Sequence, residues 1–147
     1  MRLRPFRPGD LQTLYEIDQT CFVPGISYTQ EELTAFIGHR HSHTWVAEED
    51  GEIAGFLIAQ REARKIVHIV TIDVLKAWRR RGVGSLLMEA AEQWTCDHGL
   101  RMIGLETAQN NYVAQRFYVA RGYLKVGEIE QYYADGTTAW VMVKELS

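Results

Sequence analysis

A short basic loop with two glycines separates a strand-like run from a helix-like run, and it constrains the fold more than any other feature. The loop is residues 79–84, Arg-Arg-Arg-Gly-Val-Gly. The apolar run at residues 65–75 before it is typical of a strand. After it, Leu87, Ala91 and Trp94 recur at helical spacing, with polar residues on the other face. We therefore predict a strand, a tight loop and a helix in that order.

This order indicates a site for an anion. The first N–H groups of a helix have no partner within the helix and carry partial positive charge. Gly82 and Gly84 allow a ligand to approach the backbone closely, while the arginines and Lys76 add charge suited to phosphate oxygens. The loop lacks the Gly-Lys-Ser/Thr of a P-loop, and Leu87 excludes a Gly-x-Gly-x-x-Gly turn. The loop predicts a pyrophosphate site.

A second segment, residues 106–123, carries a matching signature. It contains Asn-x-x-Ala-x-x-x-Tyr-x-x-x-Gly-Tyr at Asn111, Ala114, Tyr118, Gly122 and Tyr123. Together with the Arg-x-x-Gly-x-Gly of the loop, this spacing resembles the GCN5-related N-acetyltransferases (the GNAT superfamily). Within that superfamily the chain most resembles the RimI-type N-terminal acetyltransferases. The resemblance implies an enzyme that takes its acetyl group from acetyl-coenzyme A.

The resemblance also implies which residues contact acetyl-coenzyme A. The loop holds the pyrophosphate, the N–H of Val74 polarises the acetyl carbonyl, and Ile72 lies near the pantetheine arm. Tyr118 protonates the departing sulfur. The implied cofactor-binding residues are Ile72, Val74, Arg79, Arg80, Arg81, Gly82, Val83, Gly84, Ser85, Asn111, Ala114 and Tyr118.

Acetyl transfer to an amine needs a base, because only a neutral amine is a nucleophile. We predict Glu106 as this base, at the end of a strand, and Tyr118 as the acid. The alternative for Glu106 is a solvent-facing or salt-bridged carboxylate. His68 competes as the base, but we interpret it as a core or pocket histidine that shares a strand face with Val70, Ile72 and Val74.

Three further residues are predicted to bind the acceptor. Asp73 stands where RimI-type proteins carry a small residue, and Tyr132 and Tyr133 resemble their Tyr-Tyr hairpin. The turn after residue 74 also differs, since Leu75-Lys76 replaces Asp-Pro. The expected acceptor is the α-amine of a protein or peptide N-terminus. A small amine (polyamine, amino acid or drug) and a non-catalytic acyl-coenzyme A binding module are the alternatives.

The order of elements predicts the fold class. Strands flanking the helix after the loop should be parallel, because a helix connects them. Asp-Gly turns at residues 50–51 and 135–136 indicate hairpins. We predict an α+β, three-layer α/β/α fold with a mixed, mostly antiparallel seven-stranded sheet and a central parallel pair. The predicted strands are residues 1–6, 44–48, 53–61, 65–75, 102–107, 123–133 and 138–144.

Length and composition restrict the remaining possibilities. We predict one domain over residues 1–147. A net charge of −3 argues against general nucleic-acid binding. Two cysteines give no disulfide framework, and no apolar run approaches membrane-spanning length, so we expect a cytoplasmic protein. The sequence leaves monomer and homodimer equally open.

Three histidines at alternate positions raise the question of a metal site. They are His39, His41 and His43, and no carboxylate or thiol stands near them in the sequence. Metal sites usually combine such ligands. We therefore predict an exposed loop here and no bound metal.

Overall fold

The computed structural model describes residues 1–147 and contains seven strands and four α-helices. The strands are β1 Arg2–Pro5, β2 Ser42–Glu49, β3 Glu52–Arg61, β4 Ile66–Val74, β5 Met102–Ala108, β6 Leu124–Ile129 and β7 Ala139–Glu145. The helices are α1 Leu11–Cys21, α2 Gln30–Gly38, α3 Val83–Asp97 and α4 Tyr112–Ala120. None of these helices has the length and apolar character needed to span a membrane. The predicted order of elements is confirmed.

The strands form one mixed sheet with the order β1-β2-β3-β4-β5-β7-β6. Only the β4–β5 pair is parallel, as predicted from the helix that connects the two strands. The hairpin between β2 and β3 turns at Asp50 and Gly51, which have φ values of 52° and 79°. Positive φ at both central residues is the turn geometry that matches the twist of a hairpin.

Helices cover both faces of the sheet. On one face, α1 and α2 enclose a smaller core that includes Leu14, Leu33 and Phe56. On the other face, α3 and α4 enclose a larger core. The helix α2 begins with a capping box, in which Thr29 and Glu32 satisfy each other's backbone N–H groups. The three-layer fold class is confirmed.

The parallel strands β4 and β5 separate soon after they begin. Their pairing runs from Ile66↔Met102 to His68↔Gly104 and then stops. Beyond that point β4 continues against β3 as far as Val74, and β5 continues against β7. A gap therefore opens in the middle of the sheet, on the side toward the loop at residues 79–84.

A β-bulge in β4 corrects one prediction. Ile58 of β3 pairs with Thr71 and Ala59 pairs with Ile69, so Val70 is an extra residue. A bulge changes which face the following residues occupy. As a result Ile72 and Val74 pack on the larger core with α3, whereas Val70 lies in the smaller core. The prediction that His68 shares a face with Ile72 and Val74 was wrong, because regular alternation does not hold across this bulge.

The strand β6 is shorter than predicted. It ends at Ile129 rather than at residue 133, because Gln131 adopts a left-handed conformation with φ of 52° that cannot continue a strand. The side chain of Asp135 accepts the N–H of Thr137 at 2.9 Å and stabilises a turn. Tyr132 and Tyr133 consequently lie in the connection between β6 and β7 instead of in the sheet.

Candidate active site

The basic loop at residues 79–84 lies between β4 and α3 and is mostly exposed. The N–H groups from Arg80 to Ser85 donate no hydrogen bond within the chain. Arg80 and Gly82 have φ values of 63° and 78°, and left-handed residues in a turn direct neighbouring N–H groups to one side. A positive φ is unusual for an arginine. The backbone thus presents a set of free donors at the start of α3.

The three arginines of this loop have different contacts. Arg79 donates its Nε to the carbonyl of Val74 at 3.1 Å, which ties the loop to the end of β4. The guanidinium of Arg81 lies 5.1 Å from the ring centre of Trp78. Arg80 is exposed. The loop is held against the splayed strand while its charge remains accessible.

The start of α3 lies against α4. A Cβ built on Gly84 would stand 3.2 Å from Cζ of Phe117, a tight contact that would require the Phe117 ring to shift by a few tenths of an ångström. Val83 is buried beneath the loop and Ser85 is half-buried. The same contact brings the loop beside the second sequence signature.

That signature contributes two polar side chains to α4 and its start. The side chain of Asn111 caps α4 by accepting the N–H of Ala114 at 3.2 Å. Two helical turns after Asn111, Tyr118 is 7% exposed, and its hydroxyl has no hydrogen-bond partner within the chain. Burial, with the charge of Asp73, raises the pKa of Tyr118, so the phenol stays protonated at neutral pH. Tyr118 is therefore an available proton donor.

Glu106 lies at the opposite side of the gap in a hydrogen-bonded cluster. Its Oε1 is 2.7 Å from Nε2 of His68 and accepts the hydroxyl of Tyr132 at 2.8 Å. Burial acts to raise the pKa of Glu106, but the hydrogen bond and charge of His68 lower it overall. Burial acts to lower the pKa of His68, and the hydrogen bond and charge of Glu106 raise it overall. The two side chains form an ion pair whose titrations are coupled.

We expect this pair to stabilise the fold in a limited pH window. The contribution of Glu106 is present above its ordinary pKa of 4.5 and is lost as the pH falls through the lowered value. The contribution of His68 is complete below 6.5 and is lost as the pH rises through the raised value. His68→Gln should therefore lower the free energy of unfolding by about 1 to 2 kcal/mol near pH 5.5, and by less at pH 3 and pH 9.

Urea unfolding at these three pH values measures the effect. His39→Gln, which changes an exposed histidine outside the cluster, is the matched control and should show no such maximum. A loss of stability in His68→Gln that is the same at every pH would contradict the ion pair.

The other predicted acceptor residues fall into two groups. Tyr133 lies beside Tyr132, with ring centres 4.9 Å apart, in the connection between β6 and β7. Asp73 is only 1% exposed and faces α1, where its Oδ1 accepts the hydroxyl of Thr71. The bulge in β4 explains this placement, since it turns residue 73 away from α3. At 1% exposure Asp73 presents almost no surface to an acceptor, whereas Tyr132 is 42% exposed.

Two contacts beside the gap between β4 and β5 could not be predicted from any pattern in the sequence. The hydroxyl of Tyr28 donates to the carbonyl of Val70 at 3.2 Å, which places this ring beside the bulge. The carbonyl of Gly25 accepts the N–H of Ala134 at 3.0 Å. Gly25 has φ of 91°, and a Cβ there would stand 2.8 Å from Cβ of Asp135. The connections α1–α2 and β6–β7 thus contact each other beside the gap between β4 and β5, and we call the region bordered by Tyr28, Tyr132 and Glu106 the acceptor cleft.

Two of the three histidines that follow α2 contact each other, and the third packs elsewhere. The backbone N–H of His41 donates to Nδ1 of His39, and a nitrogen of Arg61 lies 3.3 Å from Nδ1 of His41. His43 packs on Trp45, with ring centres 4.4 Å apart. No group of three or more histidine, cysteine, aspartate or glutamate side chains is arranged to hold a metal ion.

The sequence model of the acetyltransferase (GNAT) family matches residues 11–123, which include the basic loop, Glu106 and Tyr118. The chain belongs to the GNAT acetyltransferase family. The predicted resemblance is confirmed, and this GNAT chain is an acetyl-coenzyme A dependent N-acetyltransferase.

Among curated relatives, this GNAT protein is 29% identical over 150 residues to an uncharacterized N-acetyltransferase of Methanocaldococcus jannaschii, covering 99% of this chain and 92% of the relative. It is 27% identical over 160 residues to an N-alpha-acetyltransferase of Sulfurisphaera tokodaii, covering 99% and 93%. Both alignments extend over nearly the whole of each protein.

Two solved structures show the same fold. The ribosomal-protein-S18-alanine N-acetyltransferase of Escherichia coli superposes with a TM-score of 0.87 at 21% identity, covering 99% of this chain and 94% of the other. A putative streptothricin acetyltransferase of Bacillus anthracis, solved in complex with acetyl coenzyme A, gives 0.81 at 26% identity, covering 99% and 98%. The first of these confirms the likeness of this GNAT fold to a RimI-type enzyme.

Proposed function

We propose that this enzyme acetylates the N-terminal α-amine of a peptide or protein. The observation that carries the proposal is the splay of β4 from β5, which has the free N–H groups of residues 80–85 at one side and the Glu106 cluster at the other. When acetyl-coenzyme A lies in this gap, the free N–H groups can bind its phosphates, and Glu106 can act as a base on the acceptor amine.

The basic loop is suited to the pyrophosphate of acetyl-coenzyme A. Free N–H groups at the start of α3 act together with the helix dipole and the arginines on phosphate oxygens. We assign Ile72 and Val74, which are half-buried and pack on the larger core, to the path from the loop into the gap. Asn111 and Ala114, at the start of α4, flank the same path, and we assign them to the pantetheine arm.

Two groups of the chain act on the acetyl thioester, one on its carbonyl oxygen and one on its sulfur. The nitrogen of the amine forms a bond to the acetyl carbon, and the carbon–sulfur bond breaks. We assign the N–H of Val74 to the oxyanion, because backbone donors directed at developing charge stabilise it strongly. The unpartnered hydroxyl of Tyr118 gives its proton to the sulfur.

Glu106 acts on the attacking side. Its Oε1 is occupied by His68 and Tyr132, whereas its Oε2 has no hydrogen bond within the chain. We propose that Oε2 receives the proton of the amine, directly or through one water. His68 keeps the carboxylate ionised and oriented. An α-amine, with a pKa of about 7.7 to 8.0, needs only this modest assistance near neutral pH.

The lining of the cleft favours a peptide over a polyamine. Its walls carry Tyr28, Tyr132 and Tyr133, and the carboxylate of Glu106 is already paired with His68. A polyamine carries several charges and needs several carboxylates, which this arrangement does not offer. The Gly25–Ala134 contact joins the two connections that carry these tyrosines, which suits an acceptor that enters as the end of an extended chain. The relative named an N-alpha-acetyltransferase supports the same acceptor class.

Gly84→Asp tests the assigned pyrophosphate site. The new carboxylate repels phosphate, and its Cβ pushes against Phe117, so the Kd of coenzyme A should rise about 100-fold, equivalent to about 2.8 kcal/mol. Gly84→Ala separates the two causes, since it adds the Cβ without the charge. Isothermal titration calorimetry gives both values. Unchanged affinity in Gly84→Asp would contradict the assignment.

The acceptor class is tested by release of coenzyme A thiol across a panel of amines. The panel contains peptides with a free N-terminus and no lysine, N-blocked peptides with one lysine, spermidine, single amino acids and streptothricin. We expect the highest kcat/KM with the free N-terminal peptides. A higher value for streptothricin or spermidine would support a small-molecule enzyme instead. Coenzyme A binding without turnover of any amine would support a non-catalytic module.

We also propose a reducing, cytoplasmic setting for the enzyme. Cys21 and Cys96 are both free thiols, and Cys96 is exposed. An exposed free thiol is readily oxidised outside a reducing compartment.

A further inference from the structure

Two aspartates outside the reaction described above lie buried against each other between α1 and β4. Asp18 is 0% exposed and Asp73 is 1% exposed, and their carboxyl groups are within hydrogen-bonding reach. Asp18 Oδ2 accepts the N–H of Tyr28 at 2.7 Å, and Asp73 Oδ1 accepts the hydroxyl of Thr71 at 2.6 Å. The remaining oxygens, Asp18 Oδ1 and Asp73 Oδ2, have no partner.

The surroundings of the pair contain no group that neutralises two negative charges. The charge of Asp73 acts on Cys21, Tyr28 and Tyr118, and burial raises the pKa of each, so all three stay neutral. Arg79, the nearby cation, donates to the carbonyl of Val74. Two ionised carboxylates in contact away from water are strongly disfavoured. One proton held between them removes a charge and gives each unpartnered oxygen a partner.

We propose that Asp18 and Asp73 share one proton, and that this O–H···O bond fixes the wall of the acceptor cleft to β4. The wall is the connection between α1 and α2, residues 22–29. Asp18 holds it through the N–H of Tyr28, and the hydroxyl of Tyr28 donates to Val70. The pair therefore positions residues 22–29 against the splayed strand. Asp18 and Asp73 are positioning residues, and neither touches the reacting atoms.

The shared proton makes stability depend on pH. Burial, and then the hydrogen bond and charge of Asp18, raise the pKa of Asp73 well above its ordinary 3.8. The folded chain therefore keeps a proton that the unfolded chain releases. The contribution of this proton to the free energy of unfolding is complete below pH 3.8 and is lost as the pH rises through the raised pKa of Asp73. Asp18→Asn supplies an amide donor in place of the proton and removes this dependence.

Urea unfolding of the full chain from pH 4.5 to 8.5 tests the shared proton. The folding constant of Asp18→Asn relative to wild type should rise about tenfold for each pH unit up to the raised pKa. Asp50→Asn, in an exposed turn that asparagine tolerates, should stay parallel to wild type. A constant ratio for Asp18→Asn would overturn the proposal. A wild-type stability that depends on added sodium or potassium would also overturn the proposal, since a cation would then bridge the two carboxylates.

Amide hydrogen exchange tests the positioning role without any assay of activity. Protection of the Tyr28 N–H should be lost in Asp18→Ala and retained in Asp18→Asn, which keeps an oxygen acceptor. Equal protection in both variants would overturn the link to residues 22–29. If Asp18→Ala does not fold, loss of Tyr28 protection in Asp18→Asn would overturn it equally.

A kinetic test rests in addition on the proposed function. Asp18→Ala should raise the KM of an acceptor peptide about tenfold, while the Kd of coenzyme A changes less than twofold. Equal changes in both would indicate a general structural defect and overturn the positioning role. Failure of the wild type to acetylate any peptide would overturn the proposed function, and the unfolding and exchange results would remain valid.

Discussion

Glu106→Gln is expected to lower kcat about 100- to 10,000-fold, which is the usual contribution of a general base. Glutamine preserves the shape of the side chain, so the contacts with His68 and Tyr132 can persist. It removes the carboxylate oxygen that receives the proton of the amine. The Kd of coenzyme A should change less than threefold, because Glu106 lies across the gap from the basic loop.

The control for this prediction is Glu128→Gln, which changes an exposed carboxylate on β6. Its kcat should equal that of the wild type. Turnover by Glu106→Gln within threefold of wild type would assign the base to another group, and His68 would be the first to test. Single-turnover measurements separate the chemical step from product release.

Tyr118→Phe is expected to lower kcat about 100-fold, toward the low end of the range for general acids. The reason is that a thiol, with a pKa of about 8.5, leaves fairly well even without a donated proton. The ring of Tyr118 packs with Phe117 and Tyr123, so phenylalanine preserves the core. Coenzyme A affinity should be nearly unchanged, and calorimetry together with thiol release measures both.

Tyr123→Phe is a matched control for this second prediction. It also removes a buried hydroxyl from the larger core, but that hydroxyl donates to Glu92 at 2.9 Å, away from the gap. Stability should fall in this variant while kcat is retained. Parallel loss of coenzyme A affinity and turnover in Tyr118→Phe would remove its assigned role as an acid.

The fold was predictable because its signals are local. Asp50-Gly51 specifies a hairpin, Thr29 and Glu32 cap α2, and Asn111 caps α4, each through bonds within a few residues. The parallel pair follows from the helix that connects its strands. These features depend on sequence neighbours, so a single chain reveals them.

The detail of the site was less predictable because it depends on irregular backbone. The bulge at Val70 moves Ile72 and Asp73 to faces that simple alternation assigns the other way. The left-handed Gln131 ends β6 early and takes Tyr132 into a loop that reaches Glu106. The contact of Gly25 with Ala134 joins residues distant in the sequence, and no local pattern indicates it.

The most direct test of the account is the position of the acetyl group on a peptide that offers two amines. The peptide carries one free N-terminus and one internal lysine, and tandem mass spectrometry locates the modification after reaction with acetyl-coenzyme A. We predict acetylation of the α-amine, with the lysine unmodified and with no product from Glu106→Gln in the same time. Acetyl groups on the lysine, or equal modification of both amines, would contradict the proposed N-terminal specificity.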